Sequence, residues 1–237
     1  MALNIAIIGY GKMGREIERT AIDRGHKIVA KVGREGIAAH SLTGVDVAIE
    51  FTEPTAVMDN IRTLLGIGLP TVCGTTGWFD RVQELEDAAH QAPLVYASNF
   101  SLGVNILFQI NQELAALMAP YSDYKVGIEE VHHTAKKDAP SGTAITLAQG
   151  ILPAYPALHG WALSQNAGPD QLPINAVRQD PVPGTHTVSY SSSVDELSLH
   201  HIAHSRAGFA LGAVIAAEKA VHIPPGIHPF ADLLFAR

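Results

Sequence analysis

The segment NIAIIGYGKMGREIERTA, residues 4–21, restricts the possible folds more than any other stretch. Four apolar residues, Ile5–Ile8, read as a strand buried on both faces, because they run without the polar alternation of a half-exposed strand. Next comes Gly9-Tyr10-Gly11-Lys12-Met13-Gly14, and then Met13, Ile17, Ala21 and Arg24 recur at helical spacing until Gly25 stops the helix. A GxGxxG loop is weak evidence alone. Placed between a strand and a helix, it permits a tight turn, close backbone approach to a pyrophosphate and close helix–strand packing. The helix N-terminus adds unsatisfied N–H groups and a partial positive charge. Gly9, Tyr10, Gly11, Lys12, Met13 and Gly14 are therefore candidate cofactor contacts.

Further apolar runs fall at 28–32, 45–51, 71–73 and 94–97. Between them, EPTAVMDNIRTLLGIG puts Val57, Ile61 and Leu64 on one stripe, and VQELEDAAHQ reads as a third, polar helix. This alternation predicts an α/β fold, a Rossmann-type doubly wound parallel sheet. The pattern changes after Leu102: a long helix over about 104–118, a strand in YKVGIEE, then an irregular stretch over 153–173 rich in Pro, Gly and Asn. HTVSYSSS and ELSLHHIAHS read as antiparallel strands, and RAGFALGAVIAAEKAV as a small-residue helix. The expected division is a dinucleotide-binding domain, 1–103 with 208–237, interrupted by an inserted antiparallel α+β domain, 104–207.

Ligands of an open α/β sheet bind outside the carboxyl ends of its strands. Gly74, Thr75 and Thr76 follow one predicted strand; Ala97, Ser98, Asn99 and Phe100 follow another, so both segments are cofactor candidates. After the second strand, Lys31 and Arg34 arrive before Glu35. Arg34 or Lys31 suits a 2′-phosphate as well as a solvated strand end, so the cofactor is read as NADH or NADPH.

A hydrophobic fraction of 47% with 16% charged residues suits a globular chain. The formal charge of −7, with no basic run longer than Lys136-Lys137, argues against nucleic acid as a partner. Cys73 is the only cysteine, no long uninterrupted apolar run suggests a membrane span, and MALNIAIIGYG has no basic n-region. A cytoplasmic location is expected.

The densest chemistry lies in EEVHHTAKKDAPSGTA, residues 129–144. It follows a strand, and Pro140 to Thr143 open a helix that either Asp138 or Ser141 can cap. One reading is a basic surface loop before a well-capped helix. The other groups a titratable imidazole, a cation and an anion-binding helix N-terminus around one carboxylate ligand. No HExxH or Cys/His ligand spacing appears, so no metal is expected, despite His132, His133, His200, His201 and His204.

This stretch resembles the signature of the dihydrodipicolinate reductase family. The resemblance extends through GYGKMG, DVAIEFTEPTAV, VCGTTGW, ASNFSLGVN and the PGTHTV…HSRAGFALGA region, nearly the whole chain. It implies an NAD(P)H-dependent enzyme of lysine and diaminopimelate biosynthesis, reducing a small cyclic dicarboxylate. It further implies a Rossmann domain with an inserted mixed α+β domain that binds substrate and builds a homotetramer. His132 resembles the catalytic acid/base and Lys136 the proton donor, while His133, Gly142 and Thr143 resemble substrate carboxylate contacts. Arg206 falls where the family brings a basic residue toward the cofactor. The loop departs from the family's common GxxGxxG by one residue, and the acid–Arg pair after the second strand is reduced to Gly33-Arg34. Two rival readings are a dehydrogenase of another amino acid, such as aspartate, and a non-catalytic NAD(P)-binding sensor.

Overall fold

The computed structural model describes residues 1–235. Its chain divides into two compact units, Met1–Ser101 together with the stretch from Arg206 onward, and Leu102–Ser205.

The first unit begins with β1 (Asn4–Ile8), α1 (Lys12–Asp23), β2 (Lys27–Val32), β3 (Val47–Glu50), α2 (Val57–Gly66), β4 (Thr71–Cys73), α3 (Glu86–Ala89) and β5 (Pro93–Tyr96). Alternate residues of β1 face opposite layers: Ile7 lies against Gly14 of α1, whereas Ile8 clusters with Leu64 of α2. Burial on both sides is why the central strands β1, β3 and β4 read as unbroken apolar runs, whereas the edge strand β2 leaves Val29 exposed.

The expected helix in VQELEDAAHQ is instead a run of 3-10 turns over Phe79–Leu85 followed by one α-turn, α3. Phe79, Val82, Leu85 and Ala88 all join one apolar cluster, and their spacing of three matches the 3-10 period rather than the α one. The link between β2 and β3 holds only a 3-10 turn, Ile37–Ala39.

The second unit comprises α4 (Leu102–Met118), β6 (Lys125–His132), α5 (Gly142–Ile151), β7 (Trp161–Leu163), β8 (Leu172–Arg178), β9 (Gly184–Ser191) and β10 (Glu196–Ala203). Its sheet has the order β10-β9-β6-β8-β7, antiparallel from β10 to β6 but parallel from β6 to β7, so the inserted domain is mixed rather than antiparallel as its strand pattern suggested. Residues 153–173, expected to be irregular, contribute the edge strand β7 and the start of β8. Pro173 and the turn residues around Gly160 and Gly168 obscure a strand whose Leu172 and Ile174 are fully buried. The antiparallel pair at β9 and β10 agrees with the sequence. On the covered face, Ile128, Ile174 and Val188 meet Leu107, Leu147 and Ala148 of the helices.

The chain returns to the first unit through α6 (Ala207–Ala220), β11 (Gly226–Pro229) and α7 (Phe230–Phe235). The completed sheet is all parallel, in the order β11-β5-β4-β3-β1-β2. From β1 the chain runs outward to β2, and from β3 it runs to the other side. The crevice beyond β1 and β3 is thus the topological switch point, where α/β sheets bind ligands.

Candidate active site

In the first unit the glycine loop sits at that switch point. Gly9 has φ +98°, and a side chain there would lie 2.0 Å from the Phe51 carbonyl oxygen; a Cβ on Gly14 would lie 2.6 Å from the Gly9 carbonyl. A Cβ on Gly11 would meet nothing within 4 Å. Gly9 and Gly14 are therefore demanded by the fold, whereas Gly11 keeps open space above the helix mouth. A pyrophosphate fits that description.

Met13, Gly74, Thr75 and Thr76 line a cavity of about 210 Å³ together with Phe51, Thr52 and Pro54. The last three were absent from the sequence-based candidates, though they follow the carboxyl end of β3, where the same positional rule applies. Thr75 is buried, and its hydroxyl accepts from the Thr52 N–H at 2.7 Å, tying the two strand exits together. Ala97, Ser98, Asn99 and Phe100 follow β5, the neighbour of β4, but do not line this cavity. Asn99 accepts from the Ser101 N–H at 2.8 Å, and the Phe100 ring packs on Phe51 and Phe230. Cys73 is buried, with its thiol on the Glu50 carboxylate at 3.2 Å. Desolvation, then that carboxylate, push the thiol well above its ordinary range, so it packs rather than reacts.

At the end of β2, Glu35 folds back to accept from the Gly33 N–H at 2.6 Å and meets His40 at 2.8 Å. The Gly33 N–H is the main reason its carboxyl drops to about 2. Lys31 is paired with Glu18, which also takes the Tyr10 hydroxyl; Arg34 remains an exposed cation at this edge.

In the second unit, alternation along β6 sends Ile128, Glu130 and His132 to the helix-covered face. The first belongs to the apolar core; the other two carry that face into a buried polar patch. Glu130 is fully buried. One carboxylate oxygen accepts from Arg178 Nη2 at 3.0 Å, the other from the Ser141 N–H at 2.9 Å. His132 stands in register with Arg178, its Nδ1 3.6 Å from the Glu130 carboxylate and its ring 5.1 Å from that of His186 in an edge-on arrangement. A Cβ on Gly184 would lie 3.2 Å from His132 Nε2, so glycine there makes room for the imidazole. Burial holds the His132 pKa below the usual imidazole range, with Glu130 opposing that shift and Lys136 and Arg178 adding to it.

His132, Lys136, Gly142 and Thr143 are all held on this one unit. Ser141 caps α5, its hydroxyl accepting from the Ala144 N–H at 3.2 Å, so that Gly142 and Thr143 form the helix's first turn. Lys136 Nζ is paired with both oxygens of Asp138, at 2.9 and 2.8 Å. His133 is half-buried on the loop just beyond β6, and its carbonyl accepts from the Lys136 N–H. Arg206 is exposed and begins the return to the first unit.

Glu130, Arg178 and His186 were not among the candidates. Glu130 lies inside the quoted motif two residues before His132, and strand alternation is the signal that pairs them. Ligand atoms of Glu130, His132 and His186 lie within 4.8 Å of one another, a grouping that spacing along the chain could not reveal. The Glu130 charge is already matched by Arg178, and Ser141 occupies the oxygen nearest the histidines. Those bonds make Glu130 the hub of a buried polar network.

His186 carries a stability consequence. Burial, followed by the proximity of His132, depresses its pKa to about 3. It is neutral when folded, and an unfolded histidine near 6.5 binds the proton first, so stability is full above pH 6.5 and is lost as pH falls toward 3. Well below pH 6.5 each unit of acidification costs about 1.4 kcal/mol through this residue. His186→Asn is expected to flatten the slope of unfolding free energy against pH by about that amount between pH 6 and 4.5, read by urea titration.

A parallel sheet with a phosphate-type glycine loop at its switch point, joined to a mixed sheet holding a buried imidazole–carboxylate pair, defines a dinucleotide-dependent oxidoreductase. The dihydrodipicolinate reductase N-terminal family matches residues 3–100 and the corresponding C-terminal family residues 103–234. The chain belongs to the dihydrodipicolinate reductase family. It is 50% identical over 236 residues to the 4-hydroxy-tetrahydrodipicolinate reductase of Christiangramia forsetii, covering 98% of each chain. It is 36% identical to that of Magnetococcus marinus, covering 87% of this chain and 81% of the relative. The fold matches a dipicolinate-bound dihydrodipicolinate reductase from Paenisporosarcina with a TM-score of 0.73 at 24% identity, covering 97% and 98%.

Proposed function

We propose that this chain reduces 4-hydroxy-tetrahydrodipicolinate to tetrahydrodipicolinate with NADH or NADPH, releasing water, in diaminopimelate and lysine biosynthesis. The observation that carries the reading is the 50% identity across 98% of the chain, which spans both the dinucleotide loop and the HHTAKKDAPSGT stretch. The reduced dinucleotide supplies a hydride to a ring carbon, and the substrate's 4-hydroxyl leaves as water. In this scheme Lys136 exchanges Asp138 for a substrate carboxylate and delivers a proton. His133 and the first turn of α5, at Gly142 and Thr143, hold the carboxylates. His132, neutral near pH 7, takes a proton from the ring carbon beside the departing hydroxyl and returns it as the hydride adds, so one proton is consumed overall.

Gly9, Tyr10, Gly11, Lys12, Met13 and Gly14, with Gly74, Thr75 and Thr76, bind the dinucleotide in this reading. Ala97, Ser98, Asn99 and Phe100 shape the nicotinamide end, and Arg206 adds a charge near it. Use of both nucleotides is supported at the end of β2, where Glu35 suits a ribose hydroxyl and exposed Arg34 suits a 2′-phosphate. A cytoplasmic homotetramer completes the proposal. No described helix is long and apolar enough to cross a membrane. The outer sheet face of the second unit exposes Ile202, and its rim Val194, offering an apolar contact to a second copy.

The test supplies pyruvate, aspartate semialdehyde and the upstream synthase, and follows the nicotinamide absorbance of NADH and of NADPH. Synthase-dependent oxidation supports the reading. Oxidised dinucleotide reduced by aspartate would favour the amino-acid dehydrogenase instead, and dinucleotide binding without turnover would favour the sensor.

A further inference from the structure

We propose that Glu130 is a positioning residue that fixes the tautomer of His132, holding the ring proton on Nδ1 and presenting Nε2 as the proton-accepting atom. His132 Nδ1 is buried without a hydrogen-bond partner, and Glu130 Oε2 lies 3.6 Å away. A lone pair on Nδ1 would be sealed from water with a carboxylate oxygen 3.6 Å away, unsatisfied and repelled. A proton on Nδ1 turns the same approach into attraction. Free histidine prefers the opposite, Nε2–H form, so the buried carboxylate has to override that preference.

Glu130 is built for this task rather than for packing. Arg178 from β8 and the Ser141 N–H from the mouth of α5 hold its two oxygens, so the carboxylate cannot rotate away from the ring. The link Arg178–Glu130–His132 has the form of an orienting acid behind a proton-transferring imidazole. Other charged or titratable groups facing His132 are Lys136 and Asp138 from the loop and His186 from β9. The two loop groups neutralise one another. His186 is neutral near pH 7 and bonds to the Ser141 hydroxyl at 3.1 Å, leaving Glu130 as the group that sets the Nδ1 proton.

The catalytic meaning of this proposal rests on the function above, but its test does not. Long-range nitrogen–proton NMR on the full chain labelled at histidine nitrogens reads the tautomer directly, with His132→Asn assigning the signal. The expected result above pH 7 is a protonated, pyrrole-type Nδ1 and a pyridine-type Nε2. Glu130→Gln should lower the His132 titration midpoint by a unit or more, since it removes the charge that favours imidazolium. It should also lower kcat at least tenfold, with the KM of the dicarboxylate within about threefold of the parent. Glu130→Asp, which keeps the charge, should recover part of both. A wild-type His132 found in the Nε2–H form overturns the proposal, as does a folded Glu130→Gln with an unchanged midpoint. If Glu130→Gln does not fold, the wild-type tautomer alone decides.

Discussion

His132→Asn is expected to lower kcat by about 10²- to 10⁴-fold, the range that one positioned acid–base group contributes. The dissociation constant for NADPH should stay within about threefold, because the dinucleotide loop belongs to the first unit and His132 to the second. The KM for the dicarboxylate should also change little, since its carboxylates are assigned to Lys136, His133 and the start of α5. Glu130 keeps its Arg178 and Ser141 N–H partners whichever residue stands at 132, so the sheet is not left with a buried, unpaired charge. Stopped-flow single turnovers separate the chemical step from product release, and circular dichroism verifies the fold. A variant whose single-turnover rate lies within threefold of the parent would remove His132 from proton transfer and return the HHTAKK stretch to the bland reading of a basic loop.

What the sequence revealed and what it hid divide along a physical line. β1, its glycine loop and α1 are legible because strand, turn and helix are fixed by neighbouring residues, and Gly9 and Gly14 are needed for contacts within that same unit. The first half of the helix expected in VQELEDAAHQ is instead the end of a 3-10 run, Phe79–Leu85; its charged residues look α-helical while its apolar stripe has a period of three. β8 is missed altogether, since Pro173 reads as a breaker and its place between β6 and β7 is set by partners elsewhere in the chain. The same distinction holds at the site. His132 and Lys136 share one short motif. Arg178, however, reaches Glu130 from 48 residues away, and His186 meets them only through the β6–β9 register. A residue whose role is to orient another shows itself only when the strands are paired.

Gly9→Ala and Gly11→Ala are expected to separate the two uses of glycine in the loop. At Gly9 an added Cβ faces both a φ of +98° and the Phe51 carbonyl oxygen at 2.0 Å. The conformation alone costs an L-residue about 1–2 kcal/mol, and relieving a backbone clash brings the total to roughly 2–4 kcal/mol. For a chain of this size that is a fall in Tm of about 6–12 °C. Either the loop or the β3 exit must move, and both bound the dinucleotide crevice. NADPH affinity should therefore drop by at least about 100-fold, or about 2.7 kcal/mol. At Gly11 nothing lies within 4 Å of the new Cβ, so Tm should hold within about 1 °C. Yet that methyl stands where the pyrophosphate must approach the backbone, and the dissociation constant should rise about tenfold or more. Calorimetry of both variants against NADPH, beside thermal melts, reads the two effects separately. If Gly11→Ala binds NADPH as tightly as the parent, the open space above the helix mouth is not where the phosphates lie, and the assignment of GYGKMG as the cofactor cradle fails, even with the fold intact.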